Sequence, residues 1–147
     1  MLLSYPSMWD DEAFKALTVR AGDAWCAMPL PRVRRVIKSL KLHPLPGAGP
    51  EIAGLAEVDG EPLVILSLER LIEAPPGPAA EFPITLLVEV GGAAREVVGL
   101  AADQPGDIVY LVGSAIAGPS RGLIRGEARL GRGLVRVLDL AALGGED

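Results

Sequence analysis

Short alternating segments separated by many turns predict a mainly β fold, and their grouping into two sets predicts a pair of small barrels that share a core. Three observations carry this reading. The 147 residues are 50% hydrophobic, enough apolar mass for one ordinary domain to close its own core. The 18 glycines and 13 prolines argue against a long helical bundle, while a mean hydropathy of +0.35 argues against a disordered chain. Apolar runs of period two recur on both sides of Pro75-Pro76-Gly77-Pro78, which reads as a joint between two halves.

In chain order, Phe14 to Ala21 alternates with Leu17, Val19 and Ala21 on one face, the period of a half-buried strand. Gly22-Asp23 turns the chain, and Ala24 to Met28 returns as the second strand, carrying Trp25 and Cys26. Pro31 suits a first helical position, and Leu30, Val33, Val36 and Ile37 recur at three-to-four spacing, so a short helical turn is expected there. Its other face would carry Arg32, Arg34, Arg35 and Lys38, and His43-Pro44-Leu45-Pro46-Gly47 then opens a loop that ends at Pro50. Ile52 to Val58 and Pro62 to Leu66 flank Asp59-Gly60, a type I′ turn pair, and form a hairpin.

Ser67 reads as the N-cap of a short helix through Leu68, Leu71 and Ile72, stopped by the proline run. Ile84 to Val90, Gly91-Gly92 and Arg95 to Ala102 form a second hairpin. Ile108 to Val112, Leu123 to Leu130 and Leu134 to Leu138 follow as strands, and Leu138 to Leu143 closes as a helical turn. The resulting organisation is a flexible flank over residues 1–12, one domain over 13–143 with subdomains divided near 73–82, and a frayed tail over 144–147.

The formal net charge of −5 and a pI near 4.9 set a field that repels a nucleic-acid backbone. One cysteine, Cys26, makes no intramolecular disulfide and no thiolate zinc site, so a cytoplasmic location is the default. No positive n-region precedes Leu2 and Leu3, and Pro6, Asp10, Asp11 and Glu12 interrupt any signal-like stretch. The apolar run Ile84 to Val90 contains Glu89 and falls far short of the roughly 18 to 20 residues of a spanning helix. Neither nucleic-acid binding nor membrane insertion is expected.

Reactive groups are as sparse. His43 stands among prolines without a second histidine or a cysteine at ligand spacing, so no metal, cofactor or general-base role follows, and Pro44 disfavours the helical geometry of a phosphotransfer histidine. Asp10-Asp11 resembles a receiver's acidic pair, but no alternating βα pattern surrounds it. Gly47-Ala48-Gly49 is a loop, since no Gly-Lys-Ser/Thr follows it. Arg121, Arg125, Arg129, Arg132 and Arg136 would stripe a helix, yet Gly122, Gly126, Gly131 and Gly133 would each cost that helix roughly 1 kcal/mol relative to alanine. Strands with exposed arginines are the better reading, as a solvated face before a partner-facing patch. Trp25 belongs in or beside the core, while Trp9, in a polar flank, marks a contact or, more simply, disorder.

In order, the hairpin ending Trp25-Cys26-Ala27-Met28, the segment Leu30-Pro31-Arg32-Val33-Arg34-Arg35-Val36-Ile37, the loop Leu45-Pro46-Gly47, Gly54 leading to Asp59-Gly60, Val98-Gly99-Leu100-Ala101-Ala102-Asp103 and Val137-Leu138-Asp139-Leu140 resemble the CheW-like domain of bacterial chemotaxis coupling proteins over about residues 13 to 143. That resemblance implies two interlocked five-stranded SH3-like barrels and a non-enzymatic adaptor, clustered in the cytoplasm with chemoreceptor arrays. Its partners would be a methyl-accepting chemoreceptor signalling tip, a CheA-type histidine kinase regulatory domain and another CheW-like coupler.

By the same resemblance, Val33, Val36, Gly99 and Leu100 match the receptor-side groove, and Asp59 and Gly60 mark a hairpin where the family carries Arg-Gly. Arginine to aspartate reverses a charge, worth several kcal/mol if the contact is desolvated, so this chain is similar to a divergent second coupler of the frizzy-type chemosensory system with weakened or lost kinase docking. A coupler competent for both receptor and kinase is the nearest alternative. A small β-barrel that binds a ligand as a sensor input is the more distant one.

Overall fold

A computed structural model of the chain describes residues 13–131 and 133–143. The expected flank over 1–12, Trp9, Arg132 and the tail over 144–147 lie outside the described residues. Ten strands carry the fold: β1 (Ala13–Ala21), β2 (Ala24–Pro29), β3 (Val33–Lys38), β4 (Ile52–Val58), β5 (Glu61–Ser67), β6 (Ile84–Val90), β7 (Glu96–Ala102), β8 (Gln104–Val112), β9 (Ile124–Leu130) and β10 (Gly133–Leu138). They form two five-stranded sheets, ordered β8-β1-β2-β10-β9 and β3-β6-β7-β5-β4. The one α-helix among the described residues is α1 (Leu68–Leu71), and no helix is long and apolar enough to cross a membrane.

The local signals explain most elements. Asp59 and Gly60 sit at φ +52° and +83°, the two left-handed residues that a type I′ turn requires. Ser67 Oγ accepts the Arg70 amide and caps α1. Asp139 caps a single turn at Leu140–Ala142, within the helical turn expected at the end of the domain.

Two expectations need correction. Leu30, Val33, Val36 and Ile37 do not share a helix: only Leu30–Arg32 forms a 3-10 turn, and Val33–Lys38 is an edge strand paired antiparallel with β6. Three of its six residues are β-branched, and an unpaired β6 edge offered a ladder, so pairing overrode the three-to-four spacing. The proline run also does not divide the sheets, since β4 and β5 before it and β6 and β7 after it belong to one sheet. The chain passes between sheets at the 3-10 turn after β2 and at Asp103 after β7. The run instead straps α1 to the other sheet, with Pro75 C=O accepting the Asp23 amide at 2.9 Å. Gly22 and Gly77 meet so closely there that a Cβ on either would strike the other strand of the crossing.

Arg20, 7% exposed, locks this crossing. Its guanidinium donates to Gly22 C=O at 2.7 Å, Gln104 Oε1 at 3.1 Å and Pro78 C=O at 3.3 Å, beside the Asp103 carboxylate at 3.9 Å. Asp103 in turn accepts the Gly22 amide at 2.8 Å.

Packing follows the strand faces. Val19, Cys26, Met28, Leu86, Val88, Leu100 and Leu138 are fully buried in a core shared by the two sheets. Ala16, Ala27, Leu111, Ala128, Val135 and Val137 form a second core on the opposite face of the first sheet, with Trp25 partly buried against it. Each fully buried Leu or Val contributes roughly 1.5–3 kcal/mol relative to exposure, so the shared core is what holds the sheets as a unit.

Candidate partner-docking groove

The shared core does not end where the sheets' edges begin. On the second sheet, one row of Cα partners runs Val36, Leu86, Leu100 and Leu66 across β3, β6, β7 and β5, so all four side chains face the same way. Leu86 and Leu100 are fully buried, while Val36 at the edge is 45% exposed. On the first sheet, Ile108 of β8 pairs with Leu17 of β1, which packs against the shared core. Tyr110 and Val112 continue the Ile108 face at two-residue steps, and Ile108 and Tyr110 are 57% and 66% exposed. Both inner faces thus run past the core onto edge strands and leave apolar side chains exposed on β3 and on β8, a candidate groove between the two strands.

Two lysines flank this groove. The Lys15 ammonium lies 5.9 Å from the centre of the Tyr110 ring, an exposed cation–π contact worth about 0.5–1 kcal/mol. At the far end a cleft of about 240 Å³ is lined by Lys38, Phe82, Ile84, Gln104 and Pro105, which brings the end of β3 to the start of β8. Thr18 fixes that start: its hydroxyl accepts the Asp107 amide at 2.8 Å and donates to Asp107 C=O at 3.1 Å, beside the β1 register shift.

The opposite end of β3 is charged. Glu89 accepts Arg34 and Arg95, each at 3.1 Å. The hydrogen bond from Arg95, followed by the bond and charge of Arg34, holds the Glu89 carboxyl below the usual range. Arg32 donates to Glu89 C=O at 3.2 Å and Gly91 C=O at 2.8 Å, and partial burial together with the Arg95 charge lowers its own pKa. Asp59 pairs with Arg35 at 2.9 Å.

The six residues singled out from the sequence therefore separate. Val33, half-buried against the shared core, and Val36 line the edge of the groove, and Asp59 reaches β3 through Arg35. Gly60 lies open at the turn. Leu100 corrects the expectation of a contact residue, because a side chain with no exposed area has no surface to offer a partner. It lies in the same cross-strand row as Val36, two strands inward, with Leu86 between them. Gly99 is buried too, and a Cβ there would strike Ile65 Cδ1.

The β8 wall escaped sequence reasoning. Ile108, Tyr110 and Val112 gave an alternation signal, but alternation does not say which side of a sheet stays uncovered. The arginine ladder lies on and around β9 and β10, as expected of strands. Arg121 pairs with Glu73 at 2.7 Å, and Arg136 donates to Ile72 C=O at 3.0 Å. Among the described residues no three His, Cys, Asp or Glu side chains gather as metal ligands, and His43 joins a backbone bridge to Leu55. Burial pushes the Cys26 thiol up to about 12, against a smaller opposing pull from Arg136, so it stays protonated and unreactive. The geometry is suited to binding.

The model for the CheW-like domain family matches residues 15–146. Among solved structures, the scaffolding protein TtCheW from Thermoanaerobacter tengcongensis has a similar fold, with a TM-score of 0.75 at 15% identity over 88% of this chain and 90% of that one. No curated protein matches the chain in sequence.

Proposed function

Because the chain belongs to the CheW-like domain family, we propose that it is a non-enzymatic scaffolding adaptor of a chemosensory system and that it seats a chemoreceptor signalling tip between β3 and β8. The observation that carries this is the continuation of the shared core onto two exposed edge strands, with Val36 on one and Ile108 and Tyr110 on the other. A contiguous apolar strip of this kind marks an interaction surface. Lys15 and Lys38 would favour a partner with acidic residues beside its apolar face.

The Asp59 turn supports a divergent role. The family carries arginine there, and here the carboxylate is taken up by Arg35. A kinase regulatory domain that relied on the arginine would meet the opposite charge, as expected of a second coupler like that of the frizzy-type system. Calorimetric titration with a receptor signalling-tip fragment tests the groove. Val36→Asp and Ile108→Asp should each weaken binding at least tenfold. The absence of binding by the natural chain, or indifference to both substitutions, would overturn it. Kinase activation in a reconstituted array decides between the divergent and the fully competent coupler. A thermal-shift response to small molecules would favour a sensor input instead.

A further inference from the structure

We propose, on the basis of the adaptor reading, that the docking strip continues past Ile108 through a bulge in β8 to Pro105 and Phe82, that it takes an acidic amphipathic helix, and that Thr18 is the positioning residue that makes it continuous. The strand registers place Pro105 on this face. Leu17 and Val19 both turn to the shared core and stand two apart on β1, yet their Cα partners Ile108 and Pro105 are three apart on β8. The extra residue in β8 shifts its alternation by one step, so Pro105 shares a face with Ile108 and Tyr110 where an unbroken strand would set it on the other side. The other wall carries the same device: Val33 and Val36, three apart on β3, pair with Val88 and Leu86, two apart on β6 and fully buried. Each edge strand thus has one bulge that keeps its apolar side chains on the core side.

Thr18 holds the bulge of β8. Its hydroxyl, on a residue only 7% exposed, makes both hydrogen bonds to the Asp107 backbone. Gly106 lies so close that a Cβ there would strike Thr18 Oγ1 and the Trp25 ring. Beyond the bulge, Pro105 meets Phe82 and Lys38 in the 240 Å³ cleft. Phe82 is 68% exposed, as open as Tyr110 at the other end of the strip.

The same geometry selects the form of the partner. Val19 and Lys15, the β1 partners of Pro105 and Tyr110, are four residues apart, about 14 Å along a strand, which roughly nine residues of α-helix span. The strip presents side chains and little backbone, and Pro105 has no N–H to give. A segment lying across it must satisfy its own backbone hydrogen bonds, as a helix does. Lys15 pairs with Tyr110 and Lys38 with the core residue Ile84, so a lysine stands on the core-side face at each end. On a chain of net charge −5 these two favour carboxylates near both ends of the helix.

Titration with the receptor signalling-tip fragment tests the extension. Phe82→Ser should weaken binding about fivefold or more and leave the urea midpoint unchanged. Thr18→Val keeps the shape but not the hydroxyl; it should weaken binding about threefold or more and speed exchange of the Asp107 amide, and Thr18→Ser should restore both. Affinity should fall as salt is raised. Full affinity in Phe82→Ser, beside loss in Val36→Asp and Ile108→Asp, would end the strip at Ile108 and overturn the extension while leaving the adaptor reading intact. Full affinity in Thr18→Val would overturn the role of Thr18, and salt-independent binding would overturn the acidic partner. A natural chain that does not bind the fragment would overturn the adaptor reading and the extension together.

Discussion

Asp59, at the tip of the β4–β5 turn, accepts a hydrogen bond from Arg35 of β3 at 2.9 Å, so a hairpin at one edge of the second sheet is tied to the strand at its other edge. Both side chains are at least half exposed, and an exposed pair of this kind contributes about 0–1 kcal/mol. Its importance lies in which charge faces a partner. Asp59→Asn keeps a residue that tolerates φ +52° and removes the carboxylate. It should shift the urea midpoint little and free Arg35, tightening any acidic partner of this surface. Asp59→Arg should tighten it further. Unchanged affinity in both variants would mean that the position is silent.

Leu100 and Val36 lie in one row across the sheet, and their substitutions should separate support from contact. Leu100→Ala opens a cavity in the shared core and should cost roughly 2–5 kcal/mol. In the fraction that stays folded, affinity for the receptor fragment should hold. Val36→Asp should leave the unfolding midpoint nearly unchanged and abolish binding. The reverse pattern in paired denaturation and titration experiments would exchange their roles.

Arg20 joins the β1–β2 turn, the proline strap and the start of β8. Arg20→Met should cost about 1–3 kcal/mol, because the buried Gly22 C=O loses its donor and the Asp103 carboxylate its neighbouring charge. Arg20→Lys keeps the charge but not the fork and should recover only part of this in urea denaturation.

The Glu89 carboxyl is held low by Arg95 and Arg34. A carboxyl whose folded pKa lies below its unfolded value, about 4.3, stabilises the fold above that value and loses its contribution as pH falls through the folded pKa. Glu89→Gln should therefore leave a flatter stability profile below about pH 4. A profile parallel to that of the natural chain would show that the two arginines do not act on it.

With its thiol pushed up to about 12 by burial, Cys26 should resist a disulfide-exchange reagent in the native state and react promptly in urea. Fast native labelling would indicate that β2 opens locally.

What the chain specifies by itself is local. Asp59-Gly60 demands its turn, Ser67 caps its helix, and the period-two runs from Phe14, Ile52 and Ile84 become strands because each pattern needs only neighbours in sequence to be read. The scarcity of histidine and cysteine was legible in the same way. The edge strand β3 was not, since its side-chain spacing suits a turn of helix and only the waiting β6 ladder decides for a strand.

The partition into sheets also depended on distant pairing. Arg136 and Val137 of β10 run parallel beside Cys26 and Ala27 of β2, and Ile65 of β5 runs beside Gly99 of β7. No local signal encodes such a pairing, because it depends on which apolar faces can be buried together once the hairpins exist. That burial placed Leu100 inside and left Val36, Ile108 and Tyr110 at the rim. The sequence alone determined the hairpins and their turns, while the tertiary structure decided where the shared core runs out and a docking groove begins.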